Sequence, residues 1–332
     1  MTERTVAVVG VGYWGKNLAR NFADLEALHT VCDADDATRE RIAGLHPGVR
    51  QTARYRDVLA DESIRAVALA TPAARHFEHA MQAFDAGKDV FVEKPLALRV
   101  SQGEELVRRA ADTGRILMVG HVLHYHPAVE ALGALVASGG IGQLRYVYSN
   151  RLNLGKVRTE ENILWSFAPH DISIILGLVG SLPENVAASG GTYITDGVAD
   201  VTVSQLSFRG GVRAHIFVSW LHPFKEQRLV VVGDEKMVVF DDTVREGKLK
   251  VYDKGIEARD GALVARQTAE TTLFFDETEP LKRECQEFLD ACRERRHART
   301  DGENGLEVLR VLSACQDSLE RGGLPSVLGG TS

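Results

Sequence analysis

A glycine-rich turn near the start of the sequence constrains the fold more than any other feature. The stretch "TVAVVGVGYWGKNL" places Gly10, Gly12 and Gly15 directly after an apolar run of strand type and before a helical pattern. In this context Gly10 permits a tight turn, Gly12 lets a pyrophosphate approach the backbone, and Gly15 allows close packing at a helix N-terminus. The motif therefore predicts a dinucleotide site, to which we also assign Tyr13 and Trp14. The alternative is a glycine-rich turn that holds no ligand.

The next predicted strand, "LHTVCD", ends in a carboxylate, which supports the prediction that the turn binds a dinucleotide. Asp33 follows the glycines at the distance where an acidic residue accepts hydrogen bonds from the ribose hydroxyls of adenosine. A carboxylate here repels a 2′-phosphate, so the sequence favours NAD over NADP. Asp33 can instead cap the following helix, although Asp35 and Asp36 are equally placed for capping.

The pattern of apolar residues changes part-way along the chain. Up to about residue 122, short apolar runs such as "AVALATP" and "DVFVEKP" alternate with amphipathic helical segments, which predicts a doubly wound parallel sheet over residues 1–122. Residues 123–332 instead show period-2 runs such as "VTVSQLSF" and "VRAHIFVSW", which predict a large open, mostly antiparallel sheet. We predict an α/β protein of two domains, whose C-terminal helices can pack back on the first domain.

The second predicted sheet has a face that its own helices do not cover. Such a face needs shelter from water, so we expect a homodimer or homotetramer formed through this sheet. A net charge of −7 with dispersed Lys and Arg argues against a nucleic-acid surface, and the cysteines lack zinc-ligand spacing, so no metal is expected. Because no signal peptide and no membrane-length apolar run is found, we expect a cytoplasmic protein.

Several predicted strands of the first domain end in polar or proline-containing turns. The carboxyl ends of parallel strands form the edge where open α/β sheets bind ligands. In "VEKP" the lysine follows a strand of buried type and precedes a proline that restricts the turn, which argues against an ordinary surface lysine. The strand-end residues assigned to the cofactor are Thr71, Pro72, His76, Glu93, Lys94 and His121.

With the glycine motif, Asp33, "ATP" with His76, and "EKP" in this order, the sequence resembles the Gfo/Idh/MocA family of NAD(P)-dependent oxidoreductases. The resemblance implies a Rossmann domain, a second α/β domain whose open sheet mediates dimers or tetramers, and hydride transfer between nicotinamide and a carbon of a sugar, cyclitol or related compound. It implies that Lys94 contacts the substrate hydroxyl and assists its proton transfer. Family members also carry an Asp and, four residues later, an acid/base His; His170 matches the histidine, and Ser166 stands at the Asp position.

The chemistry of His170 and Lys94 agrees with this resemblance. Oxidation of a secondary alcohol needs a proton acceptor, and imidazole has a pKa of about 6.5, suited to exchange near neutral pH. His170 can alternatively be a core histidine in an apolar helix. If it is catalytic, Asp171, another residue or no carboxylate orients it. Lys94 either stabilises the developing alkoxide as an ammonium or, with a lowered pKa, acts as the base.

A polar segment precedes the helix that carries His170. Arg151, Asn153, Lys156 and Arg158 either form a solvated loop or converge on an anionic or hydroxylated substrate, to which Trp165, His170 and Asp171 are also assigned. The segment resembles that of family members acting on nucleotide-linked sugars, particularly the 3-dehydrogenases of UDP-N-acetylglucosamine and its uronate. We expect oxidation of such a sugar at C3 or the reverse reduction. The alternatives are a dehydrogenase of a free sugar, sugar phosphate or inositol, and an NAD(H)-sensing binding protein.

Overall fold

The structure is a computed structural model that describes residues 4–155, 158–159 and 161–328. The strands are β1 (Val6–Val9), β2 (Leu28–Cys32), β3 (Arg50–Thr52), β4 (Ala66–Leu69), β5 (Asp89–Glu93), β6 (Leu117–Gly120), β7 (Leu144–Leu152), β8 (Asn185–Gly191), β9 (Val201–Ser207), β10 (Arg213–Ser219), β11 (Glu226–Gly233), β12 (Met237–Asp241), β13 (Leu249–Arg259), β14 (Ala262–Thr272) and β15 (Ser326–Val327). The helices are α1 (Gly15–Asp24), α2 (Asp36–Leu45), α3 (Tyr55–Ala60), α4 (His76–Asp85), α5 (Val100–Thr113), α6 (Pro127–Ala137), α7 (Ile163–Val179), α8 (Pro280–Glu294) and α9 (Gly302–Glu320).

The chain divides into two compact units. The first unit contains Met1–Tyr125 and Thr278–Leu309, and the second contains His126–Glu277 and Arg310–Ser332. Helix α8 and the start of α9 therefore belong to the same unit as the N-terminal strands. Among the described residues, no helix is both long and apolar enough to cross a membrane.

The first unit is built on a parallel sheet with the strand order β3-β2-β1-β4-β5-β6. Every residue of β1, β4, β5 and β6 is buried, which explains why these strands are continuous apolar runs. The strand order reverses between β1 and β4, and open α/β sheets bind ligands at the carboxyl edge of such a switch point. The predicted parallel, doubly wound domain is confirmed.

The second unit contains a nine-stranded sheet with the order β14-β13-β12-β11-β7-β10-β9-β8-β15. Its neighbours pair antiparallel except for β7 and β10, which run parallel. Helix α7 packs on β7, β9 and β10, and most of its residues are buried. The predicted large, mostly antiparallel sheet is therefore confirmed, with the parallel pair as its exception.

The start of α7 is held at one edge of this sheet. At that edge the last residue of β7, Leu152, pairs with Ser219 of β10 on one side and with Glu226 of β11 on the other. The first backbone N–H of α7, that of Ile163, donates to the carbonyl of Ala199, 3.0 Å away, in the segment before β9. The ends of β7 and β10 and the start of β9 consequently lie near the N-terminus of the helix that carries His170.

Candidate active site

The glycine-rich turn of the first unit has the geometry that a pyrophosphate requires. Gly10 has a φ of +83°, and a Cβ at this position would lie 2.8 Å from the backbone oxygen of Ala70. A Cβ on Gly15 would lie 1.8 Å from the carbonyl oxygen of Gly10, so no larger residue fits there. A Cβ on Gly12 would meet no described atom within 4 Å. Two glycines thus close the turn, and the third leaves open space in front of α1.

The carboxylate of Asp33 lies at the end of β2 beside this turn. Its Oδ2 accepts a hydrogen bond from the backbone N–H of Val11 at 2.8 Å, and its Oδ1 accepts one from the N–H of Asp35 at 3.0 Å. Helix α2 is capped by the side chain of Asp35, which accepts from the N–H of Thr38 at 2.8 Å. The alternative that Asp33 caps this helix is wrong, because Asp35 is the capping residue.

Glu93 connects the glycine-rich turn to the strand end that bears Lys94. The indole N–H of Trp14 donates to Oε1 of Glu93, and a Cβ added to Gly120 of β6 would lie 2.8 Å from Oε2. Burial raises the pKa of Glu93 to about 7, although the bond from Trp14 and the charge of Lys94 act in the opposite direction. Lys94 is half-buried at the carboxyl end of β5. The glycine-rich turn and the predicted catalytic lysine are therefore linked through Glu93, whose side chain accepts from Trp14 and whose backbone continues into Lys94.

His76 is buried and holds two strand-end turns together. Its Nδ1 lies 2.8 Å from the carbonyl oxygen of Pro95, and its Nε2 lies 2.8 Å from that of Thr71. Because both ring nitrogens face backbone carbonyls, His76 fixes the "ATP" and "EKP" turns relative to one another. Pro72 belongs to the first of these turns and starts a short helical segment, its carbonyl accepting from Arg75 N–H at 2.8 Å.

Two further predicted cofactor residues differ sharply in their exposure. Tyr13 is 84% exposed at the glycine-rich turn, whereas His121 is buried directly after β6. Burial lowers the pKa of His121 to about 3, so its ring is neutral at physiological pH. Within the described part of the chain neither of its ring nitrogens has a hydrogen-bond partner. The prediction that His121 contacts cofactor or substrate stays a prediction.

In the second unit, Arg151 and Asp171 form a buried ion pair. The guanidinium donates from Nε to Oδ2 at 2.9 Å and from Nη2 to Oδ1 at 3.1 Å, and the hydroxyl of Ser149 donates to Oδ1 at 2.7 Å. The exposed fractions of the Arg151 and Asp171 side chains are 13% and 2%. Ser149 and Arg151 are two residues apart on β7 and face α7 together. The pair joins β7 to α7. The guanidinium and the carboxylate that we predicted to contact the substrate are therefore already bonded to each other.

The other predicted substrate residues lie around the start of α7. The indole N–H of Trp165 donates to the side-chain oxygen of Gln316 at 3.0 Å, and Arg158 pairs with Glu161 at 3.0 Å near solvent. Asn153 follows β7, and its backbone N–H donates to the carbonyl of Ser219 at 3.1 Å. Lys156 lies outside the described residues. The predicted convergence of these donors on a substrate stays a prediction.

His170 is half-buried near the middle of α7, one turn after the buried Ser166. The carboxylate of its neighbour Asp171 already accepts the three hydrogen bonds from β7. Asp171 is therefore engaged in anchoring the helix, which weakens its candidacy as the group that orients His170.

Comparison with known proteins gives two family matches. Residues 4–121 match the oxidoreductase family with an NAD-binding Rossmann fold, and residues 129–239 match the GFO/IDH/MocA C-terminal domain. The chain is 30% identical over 259 residues to 2,7-anhydro-N-acetylneuraminate hydratase of Mediterraneibacter gnavus, covering 74% of this chain and 69% of that protein. The solved structure of a putative oxidoreductase from Magnetospirillum magnetotacticum MS-1 has 32% identity and a TM-score of 0.82, over 95% of this chain and 100% of that one. The protein belongs to the Gfo/Idh/MocA oxidoreductase family.

A third relative is similar along nearly its whole length. UDP-N-acetylglucosamine 3-dehydrogenase of Acidithiobacillus ferrooxidans is 26% identical over 310 residues, which are 93% of this chain and 95% of that protein. Its solved structure matches with a TM-score of 0.85 and 25% identity, over 97% of this chain and 99% of that one. The Gfo/Idh/MocA chain described here therefore shares both domains with this dehydrogenase.

The residues present in this Gfo/Idh/MocA protein fit a dinucleotide. The open space at Gly12 suits a pyrophosphate in front of the N-terminus of α1, whose first turn contains no acidic residue. Asp33 is fixed by two backbone N–H groups at the end of the neighbouring strand. The ribose, pyrophosphate and nicotinamide portions would accordingly be held by Asp33, by the glycine-rich turn, and by the strand ends near Lys94.

One buried carboxyl of the first unit is absent from the sequence-based assignment. Glu284 lies on α8 and is 0% exposed, and its pKa is raised well above the usual value by burial and by the charge of Glu93. In "PLKRECQEFLDAC" it reads as an ordinary charged residue of an amphipathic helix. Glu284 lies three residues after Leu281 and four before Phe288, which places it inside the apolar stripe of the helix. This spacing is the sequence signal that indicates a buried carboxyl.

Proposed function

We propose that this protein oxidises a secondary alcohol of a nucleotide-linked sugar with NAD as the acceptor, or carries out the reverse ketone reduction. The position we favour is C3 of a UDP-N-acetylhexosamine or its uronate. The observation that carries the proposal is the likeness to UDP-N-acetylglucosamine 3-dehydrogenase along both domains. Because another relative is named a hydratase, family membership by itself leaves the reaction open.

The proposed chemistry needs a hydride acceptor and a proton acceptor. A nicotinamide held at the strand ends near Lys94 would supply the first, as the acceptor of the hydride from the carbon that bears the hydroxyl. His170, on α7 of the second unit, accepts the hydroxyl proton in the proposed oxidation and returns it in the reduction. Lys94, at the carboxyl end of β5, holds the substrate oxygen and either stabilises its developing negative charge or shares in the proton transfer.

The substrate proposal is tested with a panel of UDP-sugars and the matching free sugars, followed by NADH absorbance. We expect turnover of UDP-N-acetylglucosamine or its uronate and at least tenfold lower kcat/KM for the sugar without its nucleotide. Preference for a free sugar, sugar phosphate or inositol would assign the alternative dehydrogenase activity. NAD binding without turnover of any member would instead support an NAD(H)-sensing protein.

Variants of Lys94 separate its two possible roles. Lys94→Ala should abolish turnover while NADH still binds. Lys94→Arg keeps a fixed cation that cannot serve as a base at ordinary pH, so partial activity assigns charge stabilisation, and a loss equal to that of Lys94→Ala assigns proton transfer. Lys88→Ala is the matched control, because Lys88 precedes β5 and donates to the carbonyls of Asp61 and Ile64 at 2.7 and 2.6 Å. Full activity of Lys94→Ala would refute both roles.

His170→Asn should reduce kcat by about 10²- to 10⁴-fold with a small change in KM, the range typical of a lost acid/base group. The control is His297→Asn, since His297 is 91% exposed on its side chain. A loss of thermal stability in His170→Asn, with kcat preserved in the folded fraction, would support the core-histidine interpretation.

We also propose that the protein is a homodimer or homotetramer formed through the open face of the nine-stranded sheet. This face carries partly exposed aromatic and apolar side chains, including Tyr146, Tyr148, His215 and Val203. The rings of Tyr148 and His215 on this face stack with centroids 5.3 Å apart. Light scattering at micromolar concentration should give a multiple of the chain mass, and Tyr148→Glu should lower it. A monomeric wild-type protein would contradict this proposal.

A further inference from the structure

Helix α8 carries an acidic residue into the core of the first unit. Its apolar face, which includes Leu281, Cys285 and Phe288, packs against the parallel sheet and α1. Phe288 lies edge-on to Phe91 of β5, with ring centroids 5.7 Å apart. Glu284 is one helical turn before Phe288 on this same face and is fully buried. The fold therefore keeps a carboxyl where a stable core would favour an apolar side chain.

Glu284 has a second buried carboxyl as its neighbour. Glu93 lies two residues after Phe91 on β5, so both side chains point to the same face of the sheet, the face that meets Phe288. Within the described residues, neither carboxyl oxygen of Glu284 has a hydrogen-bond partner. A buried polar group without a partner is costly, and a buried acid next to an ionisable carboxyl is expected to keep its proton. A protonated Glu284 has one O–H to donate, and Glu93 is the neighbouring charged acceptor.

The charge state of Glu93 affects two residues that we predict to bind the cofactor, Trp14 and Lys94. Its Oε1 accepts the indole N–H of Trp14, which directly precedes Gly15 and α1. The residue after Glu93 is Lys94. A change in the ionisation of Glu93 therefore acts on both the glycine-rich turn and the predicted catalytic lysine. Other titratable groups on the elements packed around the two carboxyls include Arg20, His121, Tyr125, Glu279, Cys285 and Glu287.

We propose that Glu284 is a positioning residue that stays protonated and donates a hydrogen bond to Glu93 through one buried water. The bond favours the ionised form of Glu93, which accepts from Trp14 and balances the charge of Lys94. Glu284 acts through Glu93 and touches no reacting atom. The proposal rests on the dinucleotide site and not on the identity of the sugar, so failure of the substrate panel leaves it standing.

The test follows the ionisation of Glu93 through Trp14 fluorescence in the full-length protein without substrate. Trp14→Phe identifies the contribution of this residue against the other two tryptophans. Glu284→Leu removes the donor and should raise the pH midpoint of the Trp14 signal by about one unit or more, the usual effect of a lost bond to a charged acceptor. Glu284→Gln offers an amide N–H in place of the O–H and should restore the wild-type midpoint to within about 0.3 units.

Two outcomes would overturn the proposal. If Glu284 carried a negative charge, both substitutions would remove a repulsion and lower the midpoint. If Glu284 only filled space, neither would move it, although both could change the melting temperature. Glu287→Gln is the matched control on the same helix, because Glu287 pairs with Arg296 at the surface and should leave the midpoint unchanged.

NADH binding supplies a second readout. At neutral pH, Glu284→Leu should weaken NADH binding by about 3- to 10-fold, because a smaller fraction of Glu93 is ionised to hold Trp14. Raising the pH should recover the affinity, and Glu284→Gln should bind as the wild type does. Unchanged NADH affinity in Glu284→Leu at neutral pH would overturn the positioning role.

Discussion

Replacing Asp171 by Asn tests whether the buried pair with Arg151 holds α7 on its sheet. The substitution keeps the size of the side chain and removes the charge that receives two hydrogen bonds from the guanidinium and one from Ser149. Arg151 would then remain in the interior, 13% exposed, without the carboxylate with which it is paired. Removal of one partner of a buried ion pair costs about 3–5 kcal/mol. For a unit of this size, that loss corresponds to a fall of roughly 6–20 °C in melting temperature.

The assay is urea and thermal unfolding followed by circular dichroism, with Arg158→Met as a matched control. Arg158 also forms an ion pair, with Glu161 at 3.0 Å, but its side chain is 43% exposed. Exposed pairs contribute about 0–1 kcal/mol, so this control should unfold close to the wild type. The double variant Arg151→Met, Asp171→Leu removes both charges and should recover most of the stability lost by Asp171→Asn.

Kinetics separate this structural role from the predicted substrate contact. If Arg151 mainly binds an anionic substrate, Arg151→Met will raise KM while the unfolding midpoint stays unchanged. The structural interpretation is refuted if Asp171→Asn loses less than about 1 kcal/mol, the same as the exposed control.

Two further predictions concern the dinucleotide site. Gly15→Ala places a Cβ 1.8 Å from the carbonyl oxygen of Gly10, so the turn must deform. NADH affinity should therefore fall at least about 100-fold in a calorimetric titration. Binding within threefold of wild type would show that the turn does not bind the dinucleotide. Asp33→Ala removes the carboxylate that repels a 2′-phosphate and should shift the ratio of NAD to NADP affinity at least tenfold toward NADP. An unchanged ratio would mean that Asp33 does not select the cofactor.

The sequence predicts the first unit well because its signals are local. A strand, a glycine turn and a helix are adjacent in the chain, and each βα repeat ends at a polar or proline residue that becomes a strand end. The exception is β3 (Arg50–Thr52), whose residues are exposed or half-buried. A strand of three polar residues has no apolar run by which it could be recognised, and it exists because β2 offers a free edge.

The second unit is less predictable because pairing between distant strands decides it. The long hairpin of β13 and β14 carries charged side chains on both faces and many exposed residues, so it lacks the period-2 pattern of a half-buried strand. The parallel pairing of β7 with β10 joins segments about sixty residues apart and has no local signature. The pairing of Arg151 with Asp171 depends on how α7 settles on β7, which sequence spacing does not specify.

The buried Glu93 leads to a pH dependence of stability whose sign is opposite to that of an ordinary salt-bridged carboxylate. Its pKa is raised from 4.5 to about 7, so between these values the folded protein keeps a proton that the unfolded chain has lost. The stability from this group is fully present below pH 4.5 and is lost as the pH rises to about 7, a change of about 3 kcal/mol.

Glu93→Gln cannot titrate, so its free energy of unfolding relative to wild type should increase by this amount between pH 4.5 and 8. The buried His121, whose pKa is lowered, gives the opposite slope in both proteins and cancels in the comparison. A difference that stays constant with pH would mean that the pKa of Glu93 is the same in the folded and unfolded protein.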